Sequence, residues 1–176
     1  MFPGALATVA RVDLQRYSGR WFEIARLPVR FPGEDCTDLI ADYTCLPGNR
    51  LQVREQCVLP GGGICVTEGV AWTRDASHAR LGMSFLRAGL RWLPFSARKY
   101  WILRLDPDYT MSLVGTPGRR RLWLFARTRL PDPAMRDEFL AHAASIGFDL
   151  TALIHTPHGL RIAPRQGEGR HQPGAW

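Results

Sequence analysis

Gly19-Arg20-Trp21-Phe22-Glu23-Ile24-Ala25-Arg26-Leu27-Pro28 is the stretch on which the fold of this chain turns. A glycine two residues before a tryptophan opens a run that reads as a β-strand. Strict alternation puts Trp21, Glu23, Ala25 and Leu27 on one face and Phe22, Ile24 and Arg26 on the other. A carboxylate sharing a face with a large indole is unusual in a core strand. Buried carboxylates need partners, so the pattern predicts a distant arginine brought to Glu23.

Working outward, a short helical turn over 12–17, capped by Asp13, precedes this strand. Further segments of strand character follow at 38–46, 50–59, 64–73, 80–86, 99–105, 110–116 and 121–128. Turn chemistry separates them, as in Pro47-Gly48-Asn49 and Pro60-Gly61-Gly62-Gly63. Eight short segments joined mostly by hairpin-length connections predict an antiparallel meander, and closing it into an up-and-down barrel removes the exposed edges. The two longer connections are 28–37 and 87–98. One helix is clearly marked: Asp132 caps it, Pro133 takes its first position and Gly147 ends it. Met135, Phe139, Leu140, Ala143 and Ile146 form its apolar stripe, which must lie on the outside of the barrel. A last short strand fits 150–156. The expected division is a flexible N-terminus (1–11), one domain (12–157) and a disordered basic tail (158–176).

Composition agrees with one globular domain: 176 residues, 45% hydrophobic and 22% charged. No apolar run approaches the length of a membrane-spanning helix. The net charge is +7, and Lys99 is the only lysine, so arginine supplies nearly all of the positive charge. Its one dense cluster, Arg119-Arg120-Arg121, sits in a predicted turn and reads as a solvated loop. Nucleic acid is therefore not an expected partner.

Cys36, Cys45, Cys57 and Cys65 form no CxxC pair, and no histidine sits at zinc-finger spacing, so no metal site is expected. Two disulfides, one, or four thiols remain open. Cys57 and Cys65 flank a hairpin turn and are placed to meet across neighbouring strands. The first ten residues do not read as a signal peptide; either export is absent or the chain begins downstream of the true start.

Taken together, these residues resemble the lipocalins, and most nearly the bacterial outer-membrane and apolipoprotein D-like branch. Gly19-x-Trp21 with Phe22-Glu23-Ile24-Ala25-Arg26 is similar to the first motif of that family. Asp108-Tyr109 in Leu105-Asp106-Pro107-Asp108-Tyr109 matches the second, with proline where the wider family has threonine. Leu122-Trp123-Leu124-Phe125-Ala126-Arg127-Thr128 matches the third. The likeness runs from about Val12 to Pro157. It implies an all-β, eight-stranded antiparallel barrel of the lipocalin or calycin type with one C-terminal helix. It also implies that Arg127 packs over Trp21 to close one end, with Glu23 pairing a basic group there. Gly19, Trp21, Asp108, Tyr109 and Arg127 are then structural.

The resemblance implies a carrier of fatty acids or lysophospholipids in cell-envelope lipid maintenance, periplasmic or outer-membrane associated. No cofactor and no catalytic residue are expected. Relatives are often anchored through an N-terminal lipidated cysteine, which this sequence lacks before Cys36. Small residues facing inward leave room for a ligand, which points to Gly69 and Ala71. Met83 and Phe85 form an apolar wall, with Tyr43, Val53, Tyr100 or Trp101, and Leu113 as further lining. Trp92 lies on the long loop at the mouth, where interleaved Arg87, Arg91 and Arg98 suit phosphate head groups and peripheral contact with a membrane surface; a lid packing on its own barrel fits the same loop equally. A monomer or a homodimer fits equally. Two rival readings are an enzyme using a pocket cysteine and a carrier of a tetrapyrrole or other small hydrophobic ligand. No histidine falls in a strand core, which argues against haem.

Overall fold

The structure is a computed structural model that describes residues 4–29, 35–86 and 97–159. Helix α1 (Leu14–Tyr17) leads into β1 (Gly19–Arg26), β2 (Thr37–Leu46), β3 (Arg50–Val58) and β4 (Ile64–Thr73). The meander continues through β5 (Arg80–Ser84), β6 (Arg98–Leu105), β7 (Met111–Gly115) and β8 (Leu122–Ala126). Helix α2 (Pro133–Ser145) and the two-residue strand β9 (Ile154–His155) complete it. Each of the first seven strands pairs antiparallel with the next, and β9 pairs with β1. β1 pairs with both β2 and β8, which closes the sheet into the expected barrel. At the β2–β3 turn Gly48 and Asn49 both take positive φ, the backbone that matches a tight hairpin to strand twist.

Alternation sorts the apolar residues into two clusters. The lumen holds Tyr17, Trp21, Tyr43, Leu51, Val53, Ala71, Leu81, Met83, Tyr100 and Ile102. The outer cluster packs Ile24, Ala25, Leu103, Met111, Leu113, Leu122 and Leu124 against Phe139 and Ala143 of α2. The helix begins as its sequence indicates, with Asp132 accepting from the Met135 N–H (3.1 Å) and Pro133 in the first turn. Gly147, at φ +92°, stands just past its end. Arg104 of β6 ties the helix down through an ion pair to Glu138 and a guanidinium 4.7 Å from the Phe139 ring.

Two features depart from the sequence reading. The segment ahead of α1 lies against the barrel instead of hanging loose: Leu6 is buried and the Val9 N–H donates to the Ile102 carbonyl (3.0 Å). More consequential is β1 itself. Its register against β8 slips between Glu23 and Ala25, a β-bulge at Ile24. The extra residue shifts the parity of the remainder of the strand. Ala25 and Leu27 therefore join the outer cluster, whereas strict alternation placed them beside Trp21. Arg26 instead turns to the side of Glu23, and the predicted partner comes from three residues away rather than from a distant strand.

Candidate functional site

The closed end of the barrel is built around Arg127. Its guanidinium lies 3.9 Å from the Trp21 ring centroid. It also donates to the carbonyls of Tyr109 (3.1 Å), Arg20 (2.9 Å), Arg16 (2.7 Å) and Tyr17 (3.3 Å). The planar five-donor fork suits this ring of acceptors, which a lysine does not match. Gly19 makes the approach possible: at φ +96°, any Cβ there would sit 3.2 Å from Arg127 Nη1. Tyr109, at φ +59°, sends its hydroxyl to accept from the Asp13 N–H (2.9 Å). The carboxylate that organises this turn is Asp106, which accepts from the N–H groups of Asp108, Thr110 and Met111. Asp108 contributes its backbone only.

Above this floor lies a layer of buried phenols. The Tyr100 hydroxyl is within hydrogen-bond distance of Tyr43 (2.9 Å) and Tyr17 (3.1 Å), and Tyr17 reaches Ser112 (3.1 Å). Burial pushes all three tyrosines up, Tyr43 and Tyr100 well above the ordinary value, so the layer consists of neutral hydroxyls. The lower lumen is thus filled, its apolar side chains interrupted by this layer of hydroxyls.

The half nearer the open end holds an ion pair with no exposed side-chain surface. Arg26 Nη1 donates to Glu23 Oε1 (2.5 Å) and to Thr156 Oγ1 (3.1 Å), and Nη2 donates to the Cys36 carbonyl (3.1 Å). Thr156 Oγ1 donates to the same Glu23 oxygen (2.5 Å), while Glu23 Oε2 has no hydrogen-bond partner among the described residues. Burial holds the Glu23 carboxyl above its usual value despite the opposing pull of Arg26 and Thr156. Beside this pair is a cavity of about 60 Å³. Leu39, Met83, Phe85, Tyr100, Trp123 and Phe125 form its apolar wall, and Glu55, Arg98, Lys99 and Arg121 contribute charge.

The architecture has counterparts in known proteins. The lipocalin-like domain family model matches residues 12–158. This chain is a lipocalin. Among its relatives is temperature-induced lipocalin-1 of Arabidopsis thaliana, 32% identical and aligned over 86% of this chain and 82% of the relative. The outer membrane lipoprotein Blc of Escherichia coli (strain K12) is 32% identical over the same shares. Among solved structures, insecticyanin from Manduca sexta superposes with a TM-score of 0.70 at 18% identity, covering 90% of this chain and 87% of that one. Lipocalins bind small hydrophobic ligands.

Within this lipocalin, the residues singled out from the sequence separate by position. Met83, Phe85 and Tyr100 line the cavity. Tyr43, Val53 and Ala71 face the lumen in its packed core. Trp101 and Leu113 belong to the outer cluster, because Tyr100 and Ile102 on β6, and Ser112 and Val114 on β7, take the inward positions. The room left by Gly69 is already occupied: a Cβ there would meet Ser84 O at 2.6 Å and the Phe85 ring at 2.8 Å. Trp92 lies outside the described residues.

The sequence pointed to basic groups at the mouth, Arg98 among them; what it missed is Glu55 and Arg121 on the same cavity. Glu55 alternates inward with Leu51 and Val53, and that parity along β3 is the signal that could have found it. The arginine triplet does sit in a turn with Arg120 and Arg121 exposed, but its members divide in role. Arg119 donates to the Ile146 and Gly4 carbonyls (2.7 and 3.1 Å), and Arg121 lines the mouth.

A single disulfide joins Cys36 to Cys57. Cys57 and Cys65 do face each other in the β3–β4 register, but Cys65 remains a thiol, as does Cys45. Burial, then Glu55, raises the Cys65 thiol, which disfavours the thiolate a pocket nucleophile requires. Among the described residues no histidine lines the cavity and no cluster of metal-ligating side chains is formed.

Proposed function

We propose that this lipocalin binds and carries single-chain lipids, fatty acids or lysophospholipids, in the upper half of its barrel, in lipid maintenance at the cell envelope. The supporting observation is the make-up of the cavity: an apolar wall of Met83, Phe85, Trp123 and Phe125 shares its lining with Arg98 and Arg121. That combination matches a ligand with an acyl chain at one end and an anion at the other. Affinity then comes mainly from apolar burial, at roughly 25 cal/mol per Å², with the head group setting orientation. The empty volume is small, so a bound chain displaces side chains as it enters. Met83, unbranched and deformable, and Phe85, just beyond the end of β5, are the residues placed to yield. The envelope assignment draws on the relatives named as outer membrane lipoproteins.

The test is recovery and rebinding of ligand. Protein purified from a bacterial host is extracted and co-purifying lipids are identified by mass spectrometry; delipidated protein is then titrated with a fluorescent fatty acid. Acyl-containing ligands and saturable binding are expected. Absence of both ends this reading.

A further inference from the structure

Three charged side chains at the mouth take no part in holding the barrel together. Glu55 projects from β3, Arg98 from the first residue of β6 and Arg121 from the residue preceding β8, and all three line the same cavity. None of these side chains makes a hydrogen bond or salt bridge among the described residues. The other guanidinium on the cavity, Arg26, is engaged with Glu23, Thr156 and the Cys36 carbonyl. Arg98 and Arg121, both partly in solvent, line the same small space, and burial first, then Arg121, lowers the basicity of Arg98. Such a pair suits an anion, because a carboxylate or phosphate can accept from two guanidinium groups at once.

Glu55 is the internal rival for that role. The ionisable groups that face it are Glu23 on β1, Tyr43 on β2, Cys65 on β4 and Arg98 on β6. The phenol and the thiol are neutral, and Glu23 repels it, which leaves Arg98 as the cation drawn toward it. Burial first, and Glu23 second, push the Glu55 carboxyl up to about 7. Its partly accessible surface is that of the cavity wall.

We propose that Arg98 and Arg121 anchor the anionic head group of the ligand and that ionised Glu55 competes with that head group for Arg98. Where Glu55 is ionised in the free protein, binding of one anion is accordingly accompanied by uptake of up to one proton from solvent onto Glu55. This rests on the single-chain lipid reading and specifies its head group as anionic, a carboxylate or a phosphate.

The experiment separates the two. Delipidated protein is titrated with hexadecyl sulfate, whose charge is constant across the range, and with 1-hexadecanol, at pH 6 and pH 8.5. The sulfate is expected to bind more tightly at pH 6, by up to about 30-fold for a site that must be protonated and titrates near 7. Glu55→Gln abolishes that pH dependence. Arg98→Gln and, separately, Arg121→Gln lower the preference for sulfate over alcohol by about tenfold or more, with thermal unfolding confirming a folded barrel. Palmitate against palmitoyl lysophosphatidate at pH 8.5 distinguishes the carboxylate from the phosphate source. Saturable binding of both probes with no pH dependence, or an unchanged preference in both arginine variants, overturns the anchor and leaves the lipid reading standing. If neither probe binds at any pH, the lipid reading falls and the anchor with it.

Discussion

Replacing Arg26 with methionine leaves Glu23 as an unpaired carboxylate in the barrel, and the consequence depends on pH. In the native protein Arg26 supplies one of the two hydrogen bonds to Glu23 Oε1 and holds the Cys36 carbonyl and Thr156 as well. Removing one partner of a buried pair costs about 3–5 kcal/mol, because the remaining charge stays desolvated. The Glu23 carboxyl is already raised by burial, and loss of its cation raises it further. The folded state therefore binds a proton that the unfolded state releases. Stability of Arg26→Met falls as pH rises from the ordinary glutamate range through the raised folded value, and it is greatest at low pH.

Near pH 5 the cost shrinks toward the ~1–3 kcal/mol of unmade neutral hydrogen bonds. Near pH 8 it reaches the full ion-pair figure, so the difference between the two conditions is about 2 kcal/mol. Urea unfolding followed by tryptophan fluorescence at both pH values measures it. Glu23→Gln combined with Arg26→Met removes the orphaned charge and should recover most of the loss at pH 8. Equal destabilisation at both pH values, together with no recovery in the double variant, would refute a desolvated Glu23–Arg26 pair.

Thiol titration of denatured, unreduced protein should find two reactive groups per chain, Cys45 and Cys65. Cys36→Ser together with Cys57→Ser should lose roughly 3 kcal/mol, the scale for a bridge across a separation of 21 residues, read as a lowered midpoint in urea. Gly19→Ala should cost about 1–3 kcal/mol, since it forces a side chain into positive φ and crowds Arg127. Its signature is a lowered melting temperature with a disturbed Trp21 environment in near-ultraviolet circular dichroism.

Much of the barrel was legible because its signals are local. The hairpin turns at Gly48-Asn49 and Gly61-Gly62 announce themselves by residue type, and so do the Asp132-Pro133 start and Gly147 end of α2. Period-two alternation along β3 and β4 needs no knowledge of the partner strand. The floor was legible through its motifs: Trp21, Gly19 and Arg127 meet as the family resemblance implied. The lumen was less so. Whether Tyr100 or Trp101 faces inward depends on the register of β6 against β5 and β7, and nothing within that strand selects between two aromatic neighbours.

By itself, then, the sequence determined a closed eight-stranded barrel, a helix on its outer wall, and the tryptophan and arginine that seal one end. The barrel and the helix are consequences of short-range periodicity and turn chemistry, and the Trp21–Arg127 seal was what the family resemblance implied. Only the tertiary structure decided what fills the barrel. One extra residue at Ile24 turns Arg26 inward to Glu23, and strand pairing brings Glu55, Arg98 and Arg121 from three separate strands or their ends onto one cavity. A bulge is a property of two strands in register, and the convergence of charges is a property of closure, so neither is written in any single stretch of chain.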